Sequence, residues 1–528
     1  MTSPLTIGID IGGTNTDCVV LNKQQQIVFR TKTATSSDIV GGIDTVLTAA
    51  RASATLQQHN VKAIFISSTH ATNALLEARN LLKVGVLRIA SNNPSCIPSC
   101  LGWPEPIKAA LNLQTITIPG GHEVDGQAMD KLDRKTVLDA TEMLIKGGAE
   151  SIVIIGVFSP LYPEHERYAA DSITSRYPAI PVTCSRDVGG SGFIERENAA
   201  ILNASLKKCV KNGFDQIEAL CMLKGFTCPV FAVQNNGSTI SLQEAHANPI
   251  SLLAAGPTNS CMGAAHLSKL TTCVVVDIGG TSTDIGLIKN SNARRTFGTS
   301  AIAGVSLNFS MPDVLSLALG GGSIVSISHN NTPTIGPCSV GSALLQKAYC
   351  GGGNTLTLTD CALQCDCYDN CGNSSMLTPK AAAPINKKDA HAVMELAIQT
   401  IARAIERFAC LEKEIPVVFV GGGAALFPLE LIKTYFPNRT VIKPLDLEVA
   451  NACGAACAVV SGTVDETVLL EQREATMKML QQKAVKLAIE KGAEAKTVVI
   501  QDETVLPYAY VSKPTARVRI VATGKLKV

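Results

Sequence analysis

The chain is short of aromatic residues: Phe, Tyr and Trp make up 4% of its 528 residues, and there is one Trp. So thin a supply argues against the stacking platforms on which single-stranded nucleic acid is held. An excess of either charge is also lacking, since 46 Lys and Arg face 44 Asp and Glu for a net charge of +2. Nothing electrostatic therefore points to nucleic acid or to a membrane surface. No unbroken apolar run approaches the ~20 residues of a membrane-spanning helix. No basic stretch with an apolar core precedes the first strand, so no signal peptide is expected. The 18 cysteines do not form the dense framework of a small secreted domain. Several, including Cys18, Cys273 and Cys453, sit in apolar contexts, which predicts free thiols and a cytoplasmic location. What remains, 46% hydrophobic and 17% charged, suits a globular chain of two or more domains.

Against that background one segment repeats. DIGGTNTD at 10–17 recurs as DIGGTSTD at 277–284, with Ser282 in place of Asn15 as the single change. Each copy follows an apolar run, 5–9 and 273–276, that reads as a buried strand. Gly12-Gly13 and Gly279-Gly280 let a backbone approach a ligand closely. The turn amides and the hydroxyls of Thr14, Thr16, Thr281 and Thr283 can hold phosphate oxygens, and Asp10 and Asp277 can hold a hydrated magnesium ion. Dinucleotide and P-loop turns open into a helix. Here 18–21, the polar 22–26 and 27–31 read as strand, turn, strand, and 285–293 begins likewise, so a β-hairpin carries each loop. Two such hairpins predict two similar halves facing one nucleotide.

Between the copies, strands and helices alternate as in an α/β layered fold. Helix 38–56, with Ser36 and Ser37 as candidate caps, leads to strand 61–67 and the polar segment STHATN. Thr69, His70 and Asn73 lie there at a strand-to-helix turn, where α/β proteins commonly face a ligand, and a plain polar cap is the competing reading. Glu195, Arg196 and Glu197 precede a long helix, 199–221, either as substrate contacts or, the favoured reading, as a solvated first turn. Asn235 follows strand 231–233 at a polar turn. Two glycine triplets follow: 320–322, able to approach a nucleotide or substrate, and Gly421, Gly422 and Gly423, a turn between strand and helix placed to border adenosine. Segment 448–460 reads as a small-residue helix and 465–492 as a charged one, followed by short strands that cap the body or form an oligomer interface.

These motifs resemble the hydantoinase/oxoprolinase A-type family, relatives of the sugar kinase and actin ATPases. GIDIGGTNTD at 8–17, STHATNALLE at 68–77, IEREN at 194–198, VQNNG at 233–237, DIGGTSTD, MPDVLSLALGGGS at 311–323, TLTD at 357–360 and VGGGAALFP at 420–428 stand in family order over about residues 5–460. The resemblance implies an α/β fold of two actin-like (RNase H-like) ATPase lobes around a nucleotide cleft, with a small α+β C-terminal segment. The expected divisions are 1–198, 199–272, 273–462 and 463–528. It implies ATP with Mg2+ as cofactors, a small cyclic amide such as a hydantoin, lactam or 5-oxoproline as substrate, and a metal-dependent B-type hydrolase subunit or a second copy of the chain as partner. A small-molecule kinase and a regulatory ATP-binding protein are the competing readings.

In the expected chemistry ATP phosphorylates the amide oxygen, which makes the ring carbon a target for water. Asp10 and Asp277 hold magnesium, and Asp277 orients the attacking group. Asp284 is a further catalytic candidate, although it and Asp17 can equally pin their hairpins. Thr69, His70, Asn73 and Asn235 are the substrate candidates. Cys361, Cys365, Cys367 and Cys371 have C-x3-C-x-C-x3-C spacing, unlike paired C-x2-C zinc sites, and read as chance thiols rather than a soft-metal site. Cys96 and Cys100 pose the same question.

Overall fold

The computed structural model describes residues 4–35, 39–53, 61–91, 97–190, 192–296, 300–308, 311–327, 332–365, 367, 383–412, 414–509, 511 and 513–527. Ser36, Ser37, Cys96 and Cys371 lie outside them. The strand that delivers the first loop, β1 (Leu5–Ile11), is apolar and buried almost throughout, as a strand covered on both faces must be. It pairs antiparallel with β2 (Asn15–Leu21), which pairs in turn with β3 (Ile27–Ala34). On its other side it runs parallel to β4 (Val61–Ser68). The second loop repeats this plan: strand Cys273–Ile278 pairs antiparallel with Thr283–Lys289 and parallel with Val417–Val420. Both loops thus sit on β-hairpins, one in each of two α/β lobes.

The first sheet has nine strands, in the order Val499–Pro507, Thr515–Gly524, Val459–Leu469, Ser238–Ser241, Val230–Val233, β4, β1, β2, β3. Its far edge is built from the C-terminal segment. The strands of the 463–528 portion therefore extend the sheet of the first lobe and cap the body at that edge. The expected helix over 448–460 is shorter, Ala450–Ala456, and Val459–Leu469 is a strand. Val459, Val460, Thr463, Val464, Thr467 and Val468 are β-branched and favour the extended backbone, which outweighs the helical look of Asp465 and Glu466. A parallel four-stranded sheet, Gln114–Ile118, Val84–Ile89, Ser151–Gly156 and Val182–Cys184, forms a third layer with its own apolar cluster.

Two helices join the lobes. Ala255–Ser268 leads into the second sheet and Ala450–Ala456 leads back to the first. They cross in close contact: a Cβ on Gly263 would overlap the Ala450 carbonyl, and one on Gly454 would overlap that of Asn259. Backbones approach this closely only where side chains are absent.

The Glu195–Glu197 cluster is not a solvated turn. Glu197 is 1% exposed and receives Arg88 through two 2.7 Å bonds, and Arg196 is 3% exposed and donates to Ser185 Oγ and the Gly156 carbonyl. The long helix, Phe193–Leu223, starts earlier than expected because its first turn is packed against that layer. Cys361, Cys365 and Cys367 are buried in the apolar core of the second lobe.

Candidate functional site: two facing hairpin turns

The two turns are built alike. Gly12 N–H donates to the Asn15 carbonyl at 2.9 Å, and Gly279 N–H to that of Ser282 at 2.9 Å. This uses the first glycine amide of each loop to close its own turn. The amides of Gly13, Thr14, Gly280 and Thr281 have no hydrogen-bond partner among the described residues, so they are the ones available to phosphate oxygens. The turns face one another across the lobes: a Cβ placed on Gly280 would stand 3.8 Å from Thr14 Oγ1. Thr16 and Thr283, expected to hold phosphate, are turned inward instead. Both are fully buried; Thr283 Oγ1 donates to the Leu319 carbonyl at 2.6 Å, and Thr16 Oγ1 lies 3.3 Å from Thr35 Oγ1. Thr16 and Thr283 already lie in the second strands of their hairpins, so the face of the sheet and not the turn sets their direction.

The acids fall into two kinds. Asp10 stands opposite Asp17, and Asp277 opposite Asp284, across their hairpins. The second acid of each pair is tied to its own sheet: Asp17 to Lys32 at 3.1–3.2 Å, Asp284 to Ser316 Oγ at 2.5 Å. The first is not. Asp10 is 4% exposed and its Oδ1 has no hydrogen-bond partner. Burial pushes its carboxyl up to about 7, with Ser67 opposing and the charges of Asp17 and Asp277 adding to the rise. Asp277 keeps a partly exposed face yet is densely surrounded; desolvation raises its pKa, while Ser260, Lys32 and Asn451 oppose the rise. Ser67 and Ser260 stand near these carboxylates but short of hydrogen-bond geometry, so each hydroxyl is also without a partner. Asp284 is raised to about 6, again by burial first. A buried carboxylate oxygen without a donor, facing a second carboxylate from the other lobe, fits a hard cation such as Mg2+.

Lys32 is the residue that sequence reasoning missed. Its Nζ bonds to Asp17 and, at 3.0 Å, to the Glu448 carbonyl, and its charge acts on Asp10 and Asp277 as well. Reflection about the 22–26 turn places Thr31 opposite Asp17. A bulge between Val20 and Leu21 shifts the register by one and puts Lys32 there.

The parallel neighbours of the two loops occupy equivalent places. Asp10 lies beside Ser67 and Asp277 beside Val420, so STHATN and the second glycine triplet begin at matching strand ends. Thr69 N–H and Oγ1 both donate to the Ile11 carbonyl at 3.1 Å, which docks the helix His70–Leu76 on the first loop, and Asn73 Nδ2 donates to Thr69 Oγ1. Gly421 and Gly423 press against Asp277, Ile278 and Gly279, and a Cβ on Gly422 would stand 4.0 Å from Lys32 Nζ. The earlier triplet, 320–322, straps the second turn, with Gly321 and Gly322 donating to the Gly279 and Gly280 carbonyls. The four substrate candidates are not gathered into one pocket. His70, its pKa lowered by burial, lines a small apolar recess with Phe214 and Leu252. Asn235 instead lines a cavity of about 1120 Å3, where its carbonyl accepts from Arg295 at 3.0 Å; none of the loop residues borders that cavity.

Paired hairpin loops, one on each of two joined α/β lobes, define a two-lobed α/β class of proteins. Within that class the chain belongs to the hydantoinase/oxoprolinase family: residues 196–464 match the hydantoinase/oxoprolinase family and residues 6–177 its N-terminal region. The acetophenone carboxylase gamma subunit of Aromatoleum aromaticum is 25% identical over 88% of this chain and 69% of its own length. The caprolactamase subunit alpha of Pseudomonas jessenii is 26% identical over 68% of this chain and 54% of its own. The crystal structure of the ATP-dependent caprolactamase from that organism superposes with a TM-score of 0.77 at 18% identity, covering 99% of this chain and 88% of that one. Nucleotide-free acetone carboxylase superposes with a TM-score of 0.71 at 17% identity, covering 100% and 88%. Among the described residues, no helix is long and apolar enough to cross a membrane.

Proposed function

We propose that the chain is an ATP-using hydrolase subunit that opens a cyclic amide, such as a hydantoin, lactam or 5-oxoproline, through a phosphorylated intermediate. The observation that carries this reading is the facing of the two turns, with Thr14 against Gly280 and the charges of Asp10 and Asp277 coupled. Phosphoryl transfer depends chiefly on positioning and on charge stabilisation. The amides of Gly13, Thr14, Gly280 and Thr281 hold phosphate oxygens from both sides. Asp10 and Asp277 would hold Mg2+, which when bound neutralises phosphate charge. Asp277 orients the attacking oxygen, and Asp17, Asp284 and Lys32 hold the hairpins in place.

The amide oxygen attacks the γ-phosphorus, ADP leaves, and the ring carbon becomes electrophilic. One water adds there and the C–N bond breaks, giving an amine and an acyl phosphate. A second water releases phosphate and leaves the carboxylate. Support for a lactam or related ring comes from the caprolactamase relative and its ATP-dependent structure. Two relatives are named as subunits, which supports a partner such as a B-type hydrolase. A second reading, carboxylation of a ketone, is favoured by the likeness to the acetophenone carboxylase subunit over 88% of the chain.

The test is product analysis with ATP and Mg2+ on a panel of lactams, hydantoins and 5-oxoproline, with and without the partner subunit. Equal yields of ADP, phosphate and ring-opened amino acid support the proposal. Bicarbonate-dependent consumption of a ketone moves the assignment to carboxylation. A stable phosphorylated product makes the chain a kinase, and no stimulated turnover makes it a regulatory ATP-binding protein.

A further inference from the structure

Away from the facing turns, three soft-metal donors converge where the two connecting helices cross. Cys453 and Cys457 are one turn apart on the Ala450–Ala456 helix and its cap, with Cys457 N–H bonded to the Cys453 carbonyl at 3.0 Å, so their side chains share a face. His266 comes from the last turn of Ala255–Ser268. A ring nitrogen of His266 and the two sulfurs all lie within 4.8 Å of one another, and this is the one such set of His, Cys and acidic groups among the described residues. We propose that Cys453, Cys457 and His266 form a zinc-binding site that clamps the crossing of the two helices.

The chemistry of the donors fits. Two thiolates and an imidazole are a common zinc set, and Zn2+ takes four ligands in a tetrahedron. With Zn–S of about 2.3 Å and Zn–O of about 2.0 Å, neighbouring ligand atoms in such a tetrahedron stand about 3.5 Å apart. Gln25 Oε1, at the tip of the β2–β3 turn, lies 3.6 Å from Cys457 Sγ and is placed to serve as the fourth donor. The His266 ring also has the outer partner that ligating histidines use to fix a tautomer, since Nε2 lies 2.8 Å from the Gln25 carbonyl. Cys453 is buried beside Ala452 and Ala456, where a thiol alone would serve as ordinary packing. His266 and Gln25 have no such role, because both reach the cluster from other elements.

The experiment uses the full chain, stripped with a chelator and titrated with Zn2+ against a chromophoric chelator, then with Co2+ as an optical reporter. Stoichiometric Zn2+ binding is expected, with a thiolate-to-cobalt charge-transfer band. Cys457→Ser and His266→Gln, on separate elements, should each weaken Zn2+ binding by more than ~100-fold, above the usual loss for an outer-shell partner. The exposed Cys410→Ser should leave it unchanged. Thermal unfolding of each variant without metal separates lost ligation from lost fold. Absence of stoichiometric Zn2+ binding, or binding that survives both ligand variants in folded protein, overturns the site. Neither outcome bears on ATP use, which is read separately.

Discussion

Gly421 stands where any side chain would collide with Asp277: a Cβ at that position overlaps Asp277 Oδ1 and crowds the Ile278 carbonyl, and its φ of +85° is itself costly for other residues. The second glycine triplet therefore makes room for the carboxylate. Gly421→Ala is expected to lower ATP turnover by about 10-fold or more by displacing Asp277, with a lowered unfolding temperature. Steady-state ATPase assays and thermal unfolding check this. Wild-type turnover in the variant would separate the triplet from the carboxylate.

Asp277→Asn should abolish ATPase activity and leave the fold intact. The raised pKa of Asp277 means that its charge is unfavourable in the folded protein, so neutralising it carries no stability penalty of its own. Circular dichroism and turnover measured together decide the matter, and an active, folded variant would remove Asp277 from its role.

The pH dependence follows from Asp10. Its carboxyl is raised from 3.8 to about 7, so between those values the folded chain keeps a proton that the unfolded chain has lost. Stability of the Mg2+-free protein should fall as pH rises through that window and level off above it, with Asp284, raised to about 6, acting in the same direction. Asp10→Asn should flatten the slope. Mg2+ affinity should rise with pH up to about 7, because the ligand must lose its proton. Denaturation midpoints and Mg2+ titrations across the range test both, and an unchanged slope in Asp10→Asn would count against the assignment.

Lys32→Met is expected to cost about 2 kcal/mol, because it leaves Asp17 buried without its cation. Adding Asp17→Asn should recover most of that loss. Urea unfolding of the two single variants and the double variant gives the coupling directly, and additive effects would mean that the pair contributes nothing of its own.

Gly454→Ala should destabilise by about 2 kcal/mol, since the added methyl meets the Asn259 carbonyl at the helix crossing. The unfolding midpoint reads this, and a neutral substitution would show that the helices can slide apart.

The two hairpins were legible because the repeated DIGGT turn follows an apolar run and precedes polar turn residues at strand spacing, signals that are local. Lys32 was hidden by a bulge that no composition signal marks, and a register shift of one residue changes which side chain meets Asp17. The strand Val459–Leu469 was misread because Asp465 and Glu466 look helical in isolation, while its pairing partners lie far off in the chain. Asp465 is held there by Arg517. Thr16 and Thr283 looked like phosphate ligands from type and spacing, but which face of the strand they occupy is set by the sheet. Asn235 and His70 each sit at a plausible turn, and only the fold separates them into different cavities.

The return of the chain through Val459–Leu469 to its first sheet means that the second lobe is held by two tethers, the helices Ala255–Ser268 and Ala450–Ala456. A body tethered once can swivel; one tethered twice bends only about the line joining its attachments. Those attachments are pressed together at Gly263 and Gly454, so both connections between the lobes pass through one point of contact, and a substitution there is expected to alter the spacing of Gly280 and Thr14 without touching either turn.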